Sequence, residues 1–193
     1  MKTKESVSPY PTQKKVYTYK DYLALPDDRQ QYQILEGELV MTPAPFVSHQ
    51  RISRRLFLQL NQFVERNKLG EVFYSPFDIV LSNTNVLQPD ILFLSNEHKE
   101  LLTEKNIQGA PDLVVEIISP STAYYDLFDK KEIYQKFGVK EYWLVDPKKE
   151  WIEIYTLEEG SYQLHQRARK TGTVQSKLLN GFSVELIELF KKA

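Results

Sequence analysis

The sequence predicts an α/β fold, a mixed β-sheet flanked by helices, with an added N-terminal hairpin and C-terminal antiparallel strands. Two features carry this. The stretch PDLVVEIISPSTAYYDLFDKKEIYQK at 111–136 reads as a strand, a short turn and a helix. Its strand, Leu113-Val114-Val115-Glu116-Ile117-Ile118, is an apolar run rich in β-branched residues, as in strands covered on both faces. Around it, helices and hairpins alternate along the chain, an order that a mixed sheet with helices on its faces accommodates.

The chain has 193 residues, 41% of them hydrophobic, enough for one sizeable core. Residues 1–16 are polar, with two prolines, and read as a disordered arm; 17–193 read as a single domain. Thr18 or a neighbour caps a short helix that Pro26 stops. Residues 31–42 alternate around Glu36-Gly37 as a hairpin. Ser48 is placed to cap a long helix to about residue 68, with His49, Ile52, Leu56, Leu60, Phe63, Val64 and Asn67 on one face and Gly70 closing it. Two strands at 72–81 and 86–94 form a second hairpin, with Asp90 inside the second. A polar helical connector at 97–105 leads to the strand and helix already described. Gly138 ends that helix, a strand at 141–145 follows, and an antiparallel pair turns at Glu159-Gly160 before a last short helix.

Composition excludes several functions. Twenty-five basic and 26 acidic residues leave a net charge of -1, so no global basic field draws nucleic acid. Without cysteine there are no disulfides, zinc-thiolate sites or thiol catalysis. His49, His98 and His165 have no metal-ligand spacing. No apolar run approaches the roughly 18 residues of a membrane helix and no signal-peptide core follows the N-terminus, so a cytoplasmic protein without a membrane partner is expected.

Two anomalies of opposite charge point to a site. Glu116 interrupts a core strand, where a carboxylate persists only if paired or bound to metal. At about 100° per residue, the following helix places Leu127, Ile133, Tyr134 and Phe137 on one apolar face, with Lys130 near its middle. Asp112 shares the strand face of Glu116. Four residues of strand span roughly 13 Å, too far for both to hold one ion. Asp90, after Pro89 in the apolar run VLQPDILFL, is the better second acid. Two carboxylates with a nearby lysine suit Mg²⁺, with Mn²⁺ able to substitute, and phosphodiester hydrolysis.

The order Pro89-Asp90, Glu116, lysine resembles the PD-(D/E)XK nuclease superfamily. There the acid and lysine normally stand two residues apart on one strand; here that position is Ile118, and Lys130 is placed to supply the charge from the helix. The string PDLVVEIISPSTAYYDLFDKKEIYQKFGVKEYWLVDP is similar to the core of a large bacterial family classed as restriction endonucleases. LALPDDRQQYQILEGELVMTPAPFVSHQ and LQPDILFL fit it in the same order, so that the resemblance covers residues 18–185. It implies a restriction-endonuclease-like fold with Asp90, Glu116 and Lys130 as catalytic set, Asp90 and Glu116 holding the metal. It also implies an acid where this chain has Gln33. Glu36 and Glu38 are the substitutes in that hairpin, Glu36 ranked first as a third metal ligand.

Each residue also has a plainer reading. Asp90 suits a turn, and Glu116 with Lys130 suits a buried ion pair. A Lys130–Asp126 pair, at about 0.3 kcal/mol, does not explain a lysine on an apolar face. Lys131 is expected at the edge of that face, solvated. His49 is a core histidine or a substrate-binding residue. Arg51, Arg54 and Arg55 read as a solvated face ahead of a phosphate clamp, Tyr124 and Tyr125 as packing residues ahead of base-stacking ones, and Asp112 as a capping or orienting acid. The function expected is metal-dependent hydrolysis of DNA by a homodimer with two sites. The alternatives are an RNA nuclease or other phosphodiesterase, and a catalytically inactive nuclease-fold module that binds nucleic acid or a protein partner. Asp90→Ala and Lys130→Ala are expected to abolish cleavage and leave melting within a few degrees.

Overall fold

The structure, a computed structural model, describes residues 15–28, 30–119 and 128–191. The expected arm up to residue 14, and Tyr124, Tyr125, Asp126 and Leu127, lie outside the described residues. Among the latter, no helix is long and apolar enough to cross a membrane.

Helix α1 (Tyr19–Leu23) starts at a capping box in which Thr18 and Asp21 satisfy each other's backbone N–H groups. Strands β1 (Gln31–Leu35) and β2 (Glu38–Thr42) form the first hairpin. Its turn residues Glu36 and Gly37 both have positive φ, 47° and 81°, as a tight two-residue turn requires. Helix α2 (Val47–Asn67) begins after Phe46, which makes no side-chain cap, so Ser48 lies within the helix. His49, Ile52, Leu56, Leu60 and Val64 of the expected face are buried. Lys68, at φ 54°, is the left-handed cap rather than Gly70. Gly70 serves a different end: a Cβ there would stand 2.1 Å from the Leu94 carbonyl oxygen at a φ of 154°.

The next segment departs most from expectation. Each of its two long strands is broken, giving β3 (Gly70–Tyr74), β4 (Ile79–Ser82), β5 (Asn85–Leu87) and β6 (Ile91–Ser95). β4 and β5 pair at the hairpin tip and join the first hairpin in a four-stranded sheet of order β2-β1-β5-β4. β3 and β6 pair in a different sheet. Pro76 and Pro89 lie in the two breaks, where their missing N–H groups are not needed by a ladder. Asp90 therefore stands where the chain passes between sheets, not inside a strand. A 3₁₀ turn over Asn96–Leu101 takes the place of the helical connector.

Strands β7 (Leu113–Ile117), β8 (Glu141–Asp146), β9 (Trp151–Glu158) and β10 (Ser161–Arg169) complete a six-stranded sheet of order β10-β9-β8-β7-β6-β3. Helix α3 (Lys130–Phe137) connects the parallel pair β7 and β8 and ends on Gly138 at φ 85°. β11 (Thr173–Gln175), β12 (Ser183–Glu185) and α4 (Leu186–Phe190) follow. Alternation sorts β7 between two cores. Leu113, Val115 and Ile117 pack with α2 and α4. Val114 packs with Ile133 and Tyr134 of α3 and with the small sheet's Leu35, Ile79 and Leu87. Glu116 has the parity of Val114 and is turned toward α3.

Candidate active site

The antiparallel register pairs Ile91 with Val115, and one further step brings Asp90 opposite Glu116. Asp90 Oδ2 accepts the Ile117 N–H at 2.7 Å and the His49 Nε2–H at 3.1 Å. Both bonds fall on one oxygen; among the described residues Oδ1 takes none. Glu116 is 2% exposed and Lys130 4%. Lys130 Nζ donates to Glu116 Oε2 at 2.9 Å, and Tyr134 Oη donates to Oε1 at 2.6 Å. Lys130 and Tyr134 are one helical turn apart, so both reach down from α3 onto the same carboxylate.

Asp90, Glu116, Lys130 and His49 share the wall of one cleft of about 230 Å³. Its opposite wall comes from the small sheet through Gln33 and Thr42. The Gln33 side chain is buried there: its Oε1 accepts the Gln88 N–H at 2.9 Å and its Nε2 donates to Thr42 Oγ1 at 2.8 Å.

Four of the five sequence-derived site residues thus come together, and the fifth does not. Glu36 occupies the hairpin turn and lines a separate hollow with Glu38, Asp129 and Glu132. It accepts from Lys136 Nζ at 3.0 Å and stays 56% exposed at its side chain. The turn that fixes its positive φ aims it away from the cleft, and Gln33 on β1 lines the cleft instead. Lys131 is also corrected. It is half-buried, with Nζ 3.3 Å from the Tyr155 ring centroid, and burial pushes its ammonium below the usual lysine value against the pull of Glu153. Arg55 is not a solvated residue of the helix surface: it donates to the carbonyls of Leu189 and Lys191. Asp112, at the far end of β7, orients its surroundings as expected by accepting from the Ser95 N–H, His98 and Lys140. Burial pushes its carboxyl up, but those three bonds outweigh it and leave the group below the ordinary carboxylate value.

Sequence reasoning met Gln33 only as the place of a missing acid, and it did not single out Gln88. Tyr134 carried a readable signal, a phenol rather than a plain apolar group on a core face, since a buried hydroxyl needs a partner. The burial of the Lys130–Glu116 pair also changes one expectation. Removing Lys130 takes a cation away from a buried carboxylate, so Lys130→Ala is expected to lower stability rather than leave melting within a few degrees.

The donors fit a hard cation. Among the described residues no group of three or more His, Cys, Asp and Glu is placed to hold a metal ion. Mg²⁺ does not need one, because it keeps several waters and takes one or two carboxylates. Asp90 Oδ1 is open to it among the described residues, and Glu116 supplies a second carboxylate on the same cleft wall.

The fold is similar to that in the crystal structure of a putative nuclease belonging to DUF820 from Anabaena variabilis ATCC 29413. The TM-score is 0.75 at 19% identity, over 90% of this chain and 97% of that one. That likeness carries the fold alone, a restriction-endonuclease-like mixed sheet flanked by helices. No curated protein sequence matches the chain. The family model described as "Uma2: Putative restriction endonuclease" matches residues 19–187, most of the chain and all of the cleft. The chain belongs to the Uma2 family of putative restriction endonucleases.

Proposed function

We propose that this protein is a metal-dependent endonuclease that hydrolyses DNA phosphodiester bonds in the cytoplasm. The observation that supports it best is the meeting of Asp90, Glu116 and Lys130 in one cleft, from a strand crossing, a strand and a helix. Asp90 and Glu116 would hold Mg²⁺ or Mn²⁺. When bound, such an ion polarises a phosphate and lowers the pKa of water. Asp90 is kept in place by the Ile117 N–H and His49, which makes His49 a positioning residue rather than one that touches substrate. Lys130 places a positive charge at Glu116, suited to stabilising charge that develops on a phosphate. Cleavage of both strands of a duplex would take two copies, so a homodimer is part of the reading.

The test is nicking of supercoiled plasmid in Mg²⁺ and in Mn²⁺, with wild type beside Asp90→Asn. The asparagine keeps an acceptor for the Ile117 N–H and removes the charge. Wild type is expected to nick, and the variant to lose at least about a hundredfold in rate with an unchanged melting transition. If wild type leaves plasmid, single strands and RNA intact, the catalytic reading fails and the inactive nucleic-acid- or protein-binding module takes its place.

A further inference from the structure

Beside the cleft runs a second depression, a groove of about 660 Å³ along the first half of α2. The two share Pro45, Gln50, Ser53 and Tyr74, so the groove continues the cleft along one surface. Its floor is apolar and aromatic. Tyr74, 59% exposed at the end of β3, meets Phe57 edge-on with ring centroids 4.7 Å apart, and Leu58 and Val47 are 57% and 66% exposed beside them. Its rim carries Arg51 and Arg54, one turn apart on α2, and among the described residues no acid lines it. Neither guanidinium forms an ion pair or hydrogen bond among the described residues. Arg55, next to Arg54 in sequence and committed to the carbonyls of Leu189 and Lys191, shows what an engaged arginine on this helix looks like.

An apolar aromatic floor under two uncommitted guanidiniums does not suit a regular duplex, which presents phosphates and sugars and hides the faces of its bases. It suits a strand whose base is unstacked, with the ring laid on an aromatic side chain and the phosphates on either side met by arginine. We infer that this groove binds one unstacked nucleotide of the strand that enters the cleft, with its base on Tyr74 and its flanking phosphates at Arg51 and Arg54. The preferred substrate is then single-stranded DNA, or a duplex with an unpaired base, over a perfect duplex. The inference rests on the nuclease reading of the cleft, but its test reads binding separately from cutting.

Fluorescence anisotropy is measured with a labelled single-stranded oligonucleotide, the same sequence as a perfect duplex, and a duplex with one bulged base. Wild type is expected to bind the single strand and the bulge at least tenfold more tightly than the perfect duplex. Tyr74→Ala should weaken single-strand binding by about tenfold, and Tyr74→Phe, which keeps the ring, should not. Arg51→Ala with Arg54→Ala should weaken it and flatten the dependence of log affinity on log salt by about 1.4, as expected for two lost phosphate contacts. All are compared at unchanged melting temperature. The inference is overturned if the perfect duplex binds as tightly as the single strand, if wild type binds no nucleic acid, or if the groove variants bind all three like wild type. Groove-dependent binding by a wild type that cuts nothing would retain this inference and reject the nuclease reading. Cutting that is lost in Asp90→Asn but untouched, like binding, in the groove variants would do the reverse.

Discussion

Glu116, its side chain 2% exposed, accepts from the Lys130 ammonium on one oxygen and from the Tyr134 hydroxyl on the other, the kind of partner a buried carboxylate needs. A buried pair of this kind contributes little net stability compared with an apolar pair, yet removing one member costs about 3–5 kcal/mol. Lys130→Met is therefore expected to lower the melting temperature by about 10 °C, at about 2–4 °C per kcal/mol for a chain of this size. Adding Glu116→Gln to it should restore most of the loss, because no charge is left stranded, while cleavage stays absent. Thermal unfolding of the wild type, the single and the double variant measures this. A double variant no more stable than the single would mean that the carboxylate of Glu116 reaches water. This pair was legible in the sequence because each residue breaks an apolar pattern. Glu36 misled because a turn acid and a cleft acid look alike in a hairpin whose only guide is alternation.

At the scale of elements, a cap and a proline placed α1, and periodicity placed the first hairpin, α2 and the β7-α3-β8 unit through their apolar faces. It could not place the exchange between sheets at 75–78 and 88–90. Alternation continues across a break, and only the tertiary partners decide that β4 and β5 join β1 while β3 and β6 join β7. A second element-level device was equally silent. Glu141, at the start of β8, is wholly buried and forms no ion pair among the described residues. It accepts Trp143 Nε1–H at 2.6 Å, Ser176 Oγ–H at 2.7 Å, and the Lys177 and Leu178 N–H groups at 2.8 and 2.9 Å. One carboxylate thus fastens the approach to β12 and α4 onto the large sheet. Glu141→Ala would leave four donors without their acceptor, at a cost on the order of 3–5 kcal/mol. Hydrogen exchange should show early loss of protection at Lys177 and Leu178, ahead of β7. If those amides exchange only with global unfolding, the segment is held by its apolar contacts instead.

For the molecule as a whole, the cleft exists because the chain crosses from the large sheet to the small one and back. The large sheet brings Glu116 and, at its edge, Asp90; the small sheet closes the other side with β1 and β2. The family resemblance implies an acid on that second wall, and this chain has Gln33 there, buried and fixed between Gln88 and Thr42. Gln33→Glu is nearly isosteric. One oxygen can keep the Gln88 N–H, and the Thr42 hydroxyl can turn to donate to the other. The substitution would add a third carboxylate to a cleft that now holds two, and divalent affinity rises with the charge of the ligand set. Calorimetric titration with Mn²⁺ should show binding tightened by about tenfold, with the Mg²⁺ concentration for half-maximal nicking falling in parallel. Melting without metal should drop by a few degrees, as like charges crowd, and recover when metal is added. An unchanged titration would mean that the small sheet only encloses the site, leaving the ion to Asp90, Glu116 and water. A tightened one would mean that both sheets can hold it, and that this chain works with a weaker grip than its fold allows.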